Sequence, residues 1–344
     1  EHLLDQLTER RRTPGHKHFW RSDFTAHHRP GWSMSIKMCS TRTAPTETGN
    51  GEGLLSWYLG EGITPVWITG EEYRDIYPLW NWRRLPGLTA EQSDAPLPEL
   101  DWHRAPDGSV IRGGRDEVGG LGEGGIGIAT MRLAKDAVID GRKSWFCLED
   151  EFVALGAGIA APDTSAPVWT TINQCHSDGP VRQGPGWVHH AGIGYLVLDG
   201  KPIVQTAARA GNWSRIGVAQ SAEPLTGDIT TIAIDHGPAP REASYAYIVV
   251  PGCAEKPESS VTVLRNDPAV QAVRSPKATQ IAFHQAGEAG GIAVDAPALV
   301  QLRGNVLSVA DHTRRGGAVT VRIGDRTVAL TFAEGGATVS APLA

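Results

Sequence analysis

No run of the 344 residues approaches the roughly 18 consecutive apolar residues of a membrane-crossing helix, so no transmembrane helix is expected. The sequence begins at Glu1 rather than Met, with neither the basic stretch nor the apolar core of a secretory leader. Either a leader has been removed or the start of the gene is missing. Cysteine is scarce: Cys39, Cys147, Cys175 and Cys253 lie far apart without a C-x-x-C pair. That excludes a compact zinc or thioredoxin-type motif and leaves one disulfide, such as Cys147 with Cys175, open. There is no basic excess, since 32 Lys and Arg face 38 Asp and Glu for a net charge of −6. A nucleic-acid surface is therefore not indicated, although 32 cations suffice to cluster around an anionic ligand. The P-loop, the H-E-x-x-H zinc motif and the G-x-S-x-G elbow are absent. So is any fixed-period repeat, which argues against a propeller or solenoid.

What is abundant is glycine (41) and proline (23), a punctuation too frequent for a helical bundle and suited to short strands with many turns. Tryptophan is also plentiful, 11 against 6 Tyr and 6 Phe. Indoles fill cores and also stack on sugar rings. Leu3, Leu4 and Leu7 stand at helical spacing before Pro14-Gly15, so a helix is expected over residues 2–12. Trp32 to Ser40 alternates as a strand. The aromatic segments LLSWYLGEG and EEYRDIYPLWNWRRLPG, with apolar residues three to four apart, read as short broken helices. Leu88 to Asp107 is proline-rich and reads as an exposed connection. Beyond it, alternating runs bounded by Gly, Pro, Asp or Asn predict antiparallel sheets. They end in a hairpin that turns at Gly324-Asp325.

The glycines at 119–127 lack the strand-then-helix context of a dinucleotide loop and read as a turn. His27-His28 and His189-His190 are adjacent pairs whose side chains point to opposite faces of an extended chain, so no metal site and no cofactor is expected. The densest polar stretch runs from Trp20 to Glu52. Arg42 follows a strand, and Asn50 and Glu52 sit in a glycine-framed turn that a ligand can approach. An arginine there can clamp a carboxylate or sulfate in bidentate fashion; alternatively it pairs with Glu47 or Glu52 and ties down the turn.

The order of motifs is more specific. HHRPGW, M-x-S-x-R-T, E-x-G-N-G-E, W-Y-L-G-E-G and D-I-Y-P-L-W-N-W-x-x-L-P-G-L-T are followed by KSWFCLEDEFVALGAGI, TTINQ, WVHHAGIGYL and YAYIVVPG. This succession, covering essentially the whole chain, resembles polysaccharide lyase family 8, which contains hyaluronate, chondroitin AC and xanthan lyases. The resemblance implies a mainly β chain with a helical N-terminal part. Residues 1–95 would end an incomplete α/α toroid, 96–266 form an antiparallel β supersandwich and 267–344 a small C-terminal β-sandwich.

The implied chemistry is β-elimination on an anionic, uronic-acid-containing polysaccharide of hyaluronan or chondroitin type. An Asn neutralises the uronate, a base removes the C5 proton, and the glycosidic oxygen departs with a returned proton. The alternatives are a xanthan lyase or a non-catalytic carbohydrate-binding remnant. The family's Tyr and His belong to a segment resembling D-H-x-x-x-x-Y-x-G-x-Y, which these residues lack, so the catalytic trio is expected upstream of residue 1. Tyr58, Tyr73 and Tyr77 lie in other motifs. Arg42 matches the family's active-site arginine, and Glu123 is placed as a further catalytic contributor from the β region. Asn50, Glu52, Trp80, Trp82 and Glu151 are the expected substrate contacts, although packing at the domain junction explains Trp80 and Trp82 better. A secreted bacterial protein is expected, with no nucleic-acid or membrane partner, because the polymer is too large to import.

Overall fold

The computed structural model describes residues 13–100, 102, 104–105 and 107–343. The helix expected over residues 2–12 lies outside them. All five sheets are antiparallel, and they stack in layers. A first four-stranded sheet runs Gly15–Phe19, Phe24–Arg29, Trp32–Lys37, Val66–Trp67. A second has the order Pro202–Gly211, Leu225–Pro238, Pro167–His176, Thr89–Glu91. Both cover one face of an eight-stranded sheet whose middle strands are Ala243–Pro251, Phe152–Ala160, Asp140–Cys147 and Ile126–Arg132.

Alternation along the middle strands explains the stacking. Successive side chains on a strand point to opposite faces. Trp145, Cys147, Phe152 and Ala154 enter a core shared with Trp32, Met34, Ile36 and Ile232. Their sequence neighbours Phe146, Val153 and Leu155 face the other way, against Val273, Ala282, Leu299 and Ala310. Those four belong to a six-stranded sheet, Thr262–Asn266 through Val339–Pro342. Its own far face, with Ile281, Phe283 and Val300, closes on Ile292, Val294, Val319 and Val321 of a last four-stranded sheet. The hairpin Ala318–Ile323 to Arg326–Thr331 turns at Gly324-Asp325, and the glycine run at 119–127 is likewise a hairpin turn. All four cysteines are free thiols, with Cys147 and Cys175 in different cores, so the disulfide left open between them does not form.

The helical part expected within residues 1–95 needs correction. Among the described residues there is no α-helix, and this stretch contains the first sheet plus two single 3-10 turns, Ser56–Tyr58 and Tyr77–Leu79. Pro65, Pro78 and Pro86 remove the donors a helix needs. The three-to-four spacing of aromatics serves instead to seat an irregular segment on the second sheet. Tyr58, Tyr73, Trp80, Trp82 and Leu85 pack with Cys175 and Ile229.

Two buried polar side chains replace the missing ladder. Gln174 accepts from Asn81 N at 2.9 Å and donates to Asn81 O at 3.0 Å and Arg84 O at 2.8 Å. Lys143 donates to Glu61 O at 3.0 Å and Gly87 O at 2.6 Å. Burial pushes the Lys143 ammonium from 10.5 down to about 7.

His312 lies between the eight- and six-stranded sheets, against Gly119, with ring nitrogens that have no hydrogen-bond partner. Burial pushes its pKa from 6.5 to about 4; Asp311 and Glu117 oppose the shift and Arg142 and Arg315 add to it. Between those values the unfolded chain binds a proton that the native chain excludes. Stability is therefore full above pH 6.5 and is lost as the pH falls towards 4, by on the order of 3 kcal/mol for this group. The urea midpoint is expected to fall across that window and to fall less steeply in His312→Leu. Equal slopes for the two proteins would show that the ring protonates freely in the native state.

Candidate functional site

The turn at Gly49 to Gly53 presents two exposed polar side chains, Asn50 and Glu52, on a hydrogen-bonded base. Glu52 N closes it on Gly49 O at 2.8 Å. The segment after the 3-10 turn Trp213–Arg215 clamps it: Val218 N donates to Gly51 O at 2.9 Å and Leu54 N to Ile216 O at 3.1 Å. Asn50 and Gly51 both have positive φ, 54° and 74°. At Gly51 a side chain is also excluded by contact, because a Cβ would come within 2.4 Å of Val218. Strain at Asn50 and closure by Val218 leave the Asn50 and Glu52 side chains exposed. The Trp102 ring lies on Gly49, where a Cβ would meet it at 2.9 Å, and is itself 58% exposed. Nothing marked Trp102 in advance, since it sits in the proline-rich connection rather than in a motif.

From Leu54 the chain leads into a groove of about 530 Å³ bordered by Trp80, Trp82, Arg83, Arg209 and Arg215, with Asp94 and Glu99 also lining it. Trp80 and Trp82 border this groove while remaining mostly buried. Trp80 stacks on Tyr77 with centroids 4.7 Å apart and donates to Gln174 O at 3.1 Å. Arg209 and Arg215 come from the far end of the second sheet and its loop, too distant in sequence for any spacing argument to have joined them to this groove.

Arg42 is elsewhere. It borders a second cleft of about 630 Å³ with Arg115, Arg314 and Arg315. The pairing with Glu47 or Glu52 considered above is replaced by Asp23 at 3.5 Å and Asp116 at 3.5 Å, with further donation to Asp116 O and Val118 O. Asp23 is fully buried and organises the whole corner. It accepts from Ser40 N (3.0 Å), Ser40 Oγ (2.5 Å) and Thr43 Oγ1 (2.7 Å), and Arg314 Nη2 approaches to 3.7 Å. Glu123 ends a strand whose carbonyl accepts from Gln301 Nε2 at 3.1 Å, against the six-stranded sheet. Glu151 lies in a small hollow of about 120 Å³ with Ile126, Leu148 and Lys277, where burial raises its pKa and its Oε2 has no partner. The seven expected residues thus do not form one site: Asn50 and Glu52 share a turn, Trp80 and Trp82 line the groove that begins at Leu54, Arg42 lies apart, and Glu123 and Glu151 lie at the C-terminal junction.

Tyr58 and Tyr73 are enclosed and engaged rather than free to act as a base. Tyr58 donates to Asp136 Oδ2 at 2.5 Å and accepts from Arg83, and burial raises its pKa. Tyr73 is equally enclosed, donating to Asn173 at 2.8 Å, with burial again raising its pKa. Tyr77 stacks on Trp80.

Layered antiparallel sheets carrying an exposed polar turn and a basic, indole-lined groove define a supersandwich protein followed by a smaller sandwich. The chain belongs to polysaccharide lyase family 8: its super-sandwich domain model matches residues 14–260 and its C-terminal beta-sandwich domain model residues 262–320. It is 35% identical to the chondroitinase-AC of Pedobacter heparinus over 305 residues, 80% of this chain and 42% of that protein. It is 31% identical to the hyaluronate lyase of Thermasporomyces composti over 347 residues, 90% of this chain and 43% of that protein. The Streptomyces coelicolor chondroitin AC lyase, solved with chondroitin sulphate, superposes with a TM-score of 0.87 at 29% identity, over 95% of this chain and 49% of that one. The chain spans less than half the length of these relatives.

Removing the Asp23 carboxylate leaves Arg314 and the Ser40 amide without their buried acceptor. Asp23→Ala is expected to cost about 3–5 kcal/mol in urea unfolding. A loss under about 1 kcal/mol would mean that water replaces the carboxylate and that the corner does not depend on it.

Proposed function

We propose that this chain is the β portion of a lyase that cleaves a uronic-acid-containing polysaccharide of hyaluronan or chondroitin type by β-elimination. What carries the reading is the family match over residues 14–320 together with the Asn50–Glu52 turn, which stands exposed between an uncovered indole and a basic groove. In the reaction a base takes the C5 proton and the freed electron pair forms the C4–C5 double bond. The C4–O bond breaks, and the glycosidic oxygen receives a proton. The C5 proton becomes acidic only when the uronate carboxylate is neutralised by hydrogen-bond donors or cations.

The base and acid are assigned to a Tyr and a His of an upstream segment with its own neutralising Asn. The residues described here form the opposite wall. Trp102 offers a flat face to a sugar ring, Asn50 and Glu52 offer hydrogen bonds to its hydroxyls, and Arg209 and Arg215 attract the carboxylate or sulfate of neighbouring units. Arg42 stands in a separate cleft, with Asp23 and Asp116 holding its guanidinium, and is a contact for a unit of the polymer beyond the groove. A polymer of this size is degraded outside the cell, so the protein is placed as secreted.

The test is the ultraviolet absorbance of the unsaturated uronate after separate incubation with hyaluronan, chondroitin sulfate and pretreated xanthan. The chain alone is expected to produce no rise. Joined to its upstream segment it should act on hyaluronan or chondroitin sulfate, and a rise with xanthan alone would replace this substrate reading. In the active protein Trp102→Ala is expected to raise KM about 3- to 10-fold with kcat little changed, the loss of a stacking contact made equally in ground and transition states. An unchanged KM would remove Trp102 from the sugar path.

A further inference from the structure

Between the first sheet and the eight-stranded sheet lies a cluster that the lyase reading does not use. His16 and His27 oppose each other in register on neighbouring strands, Gly15–Phe19 and Phe24–Arg29. Cys147, the last residue of Asp140–Cys147, approaches from the facing sheet. One ring nitrogen from each histidine and the Cys147 sulfur all lie within 4.8 Å of one another. His27 and Cys147 are fully buried, and His16 is half-buried. Gly127, paired with Cys147 across the ladder, makes room for the His16 ring, since a Cβ there would stand 2.3 Å from it.

Three observations point to an ion. His27 Nε2 lies 2.8 Å from Leu148 O and donates to it. That fixes the tautomer and leaves Nδ1 as a lone pair aimed into the cluster, the way metal-binding imidazoles are held by a second partner. The two Nδ1 atoms are 3.3 Å apart. Without an ion, His16 Nδ1–H donates across this gap to the His27 lone pair, and the same separation suits an ion shared by both rings. Two nitrogens bound at about 2.0–2.1 Å to one tetrahedral zinc ion would be about 3.3–3.4 Å apart. Finally, His16 Nε2 is buried without a hydrogen-bond partner, and among the described residues the Cys147 thiol hydrogen-bonds only to the Met34 thioether, at 4.0 Å. Two imidazoles, a thiol and a thioether form a donor set that favours zinc-type cations over calcium or magnesium.

We infer that His16, His27 and Cys147 form a binding site for a borderline-soft divalent cation of the zinc type, joining the first sheet to the eight-stranded sheet. Binding converts the Cys147 thiol to a thiolate and releases its proton to solvent. The adjacent-histidine argument had set aside a site built on His27-His28. The ligands come instead from three strands, with Cys147 far along the chain, a spacing that no short motif displays.

The test is titration of the chelator-treated chain with Co²⁺. One equivalent is expected to bind with a thiolate-to-cobalt charge-transfer band, to be displaced by Zn²⁺, and to raise the thermal midpoint. Cys147→Ser should abolish the band and Cys175→Ser should keep it. His16→Gln, at the half-buried edge where folding is least at risk, should weaken uptake by about 100-fold or more. Absence of the band in the wild-type chain overturns the site. So does a band that survives in Cys147→Ser, or cobalt affinity unchanged in His16→Gln; the last of these decides the matter even if Cys147→Ser does not fold.

Discussion

The architecture depends on a sheet that cannot tolerate water on either face. Strands such as Phe152–Ala160 send alternate residues into two different cores, so the eight-stranded sheet is stable only when layers cover both sides. Everything else follows from that demand. The first and second sheets close one face, the six-stranded sheet closes the other, and the last small sheet closes the six-stranded one in turn. Because burial is shared across layers, loops leaving their edges are held at fixed separations. Functional side chains on those loops inherit the rigidity of the stack.

That rigidity is visible at the two polar clefts. The Asn50–Glu52 turn has little regular structure of its own, yet backbone hydrogen bonds to residues 216 and 218 fix it against the edge of the second sheet. Arg42 is held differently, by a buried carboxylate that gathers donors from the first sheet's exit loop and from the C-terminal sandwich. One cleft is shaped by backbone closure and the other by charge. Both place arginines beside carboxylates, with Asp94 and Glu99 in the one and Asp116 and Glu117 in the other.

Much of the sheet structure was legible in the sequence because period-two alternation is a direct consequence of strand geometry. Trp32 to Lys37 and the paired hairpin around Gly324-Asp325 are where the pattern puts them. The segment from Leu54 to Gly87 misled because aromatics three to four apart resemble a helix face. Its conformation is set by Gln174 and Lys143, whose role as buried surrogates for a hydrogen-bond ladder is invisible until the sheets are assembled. The candidate site was legible in its turn, where glycines frame Asn50, and illegible in its long-range members. Trp102 reaches Gly49, and Arg209 and Arg215 reach the groove after Leu54, only through tertiary structure. Asp23 looked like one acid among 38 until its burial beneath Arg42 was seen.

Arg314 carries a consequence for how the two sandwiches can be inherited. Its guanidinium donates to Trp20 O at 2.6 Å and lies over the Trp20 ring, while Gly335 accommodates the opposite side of the same indole. The C-terminal sandwich therefore grips a loop encoded almost three hundred residues earlier. Recombination that exchanged this terminal module between relatives would have to carry a compatible residue 20 with it. The pair acts as a genetic linkage between the two ends of the chain, and the small sandwich is not a freely interchangeable cassette.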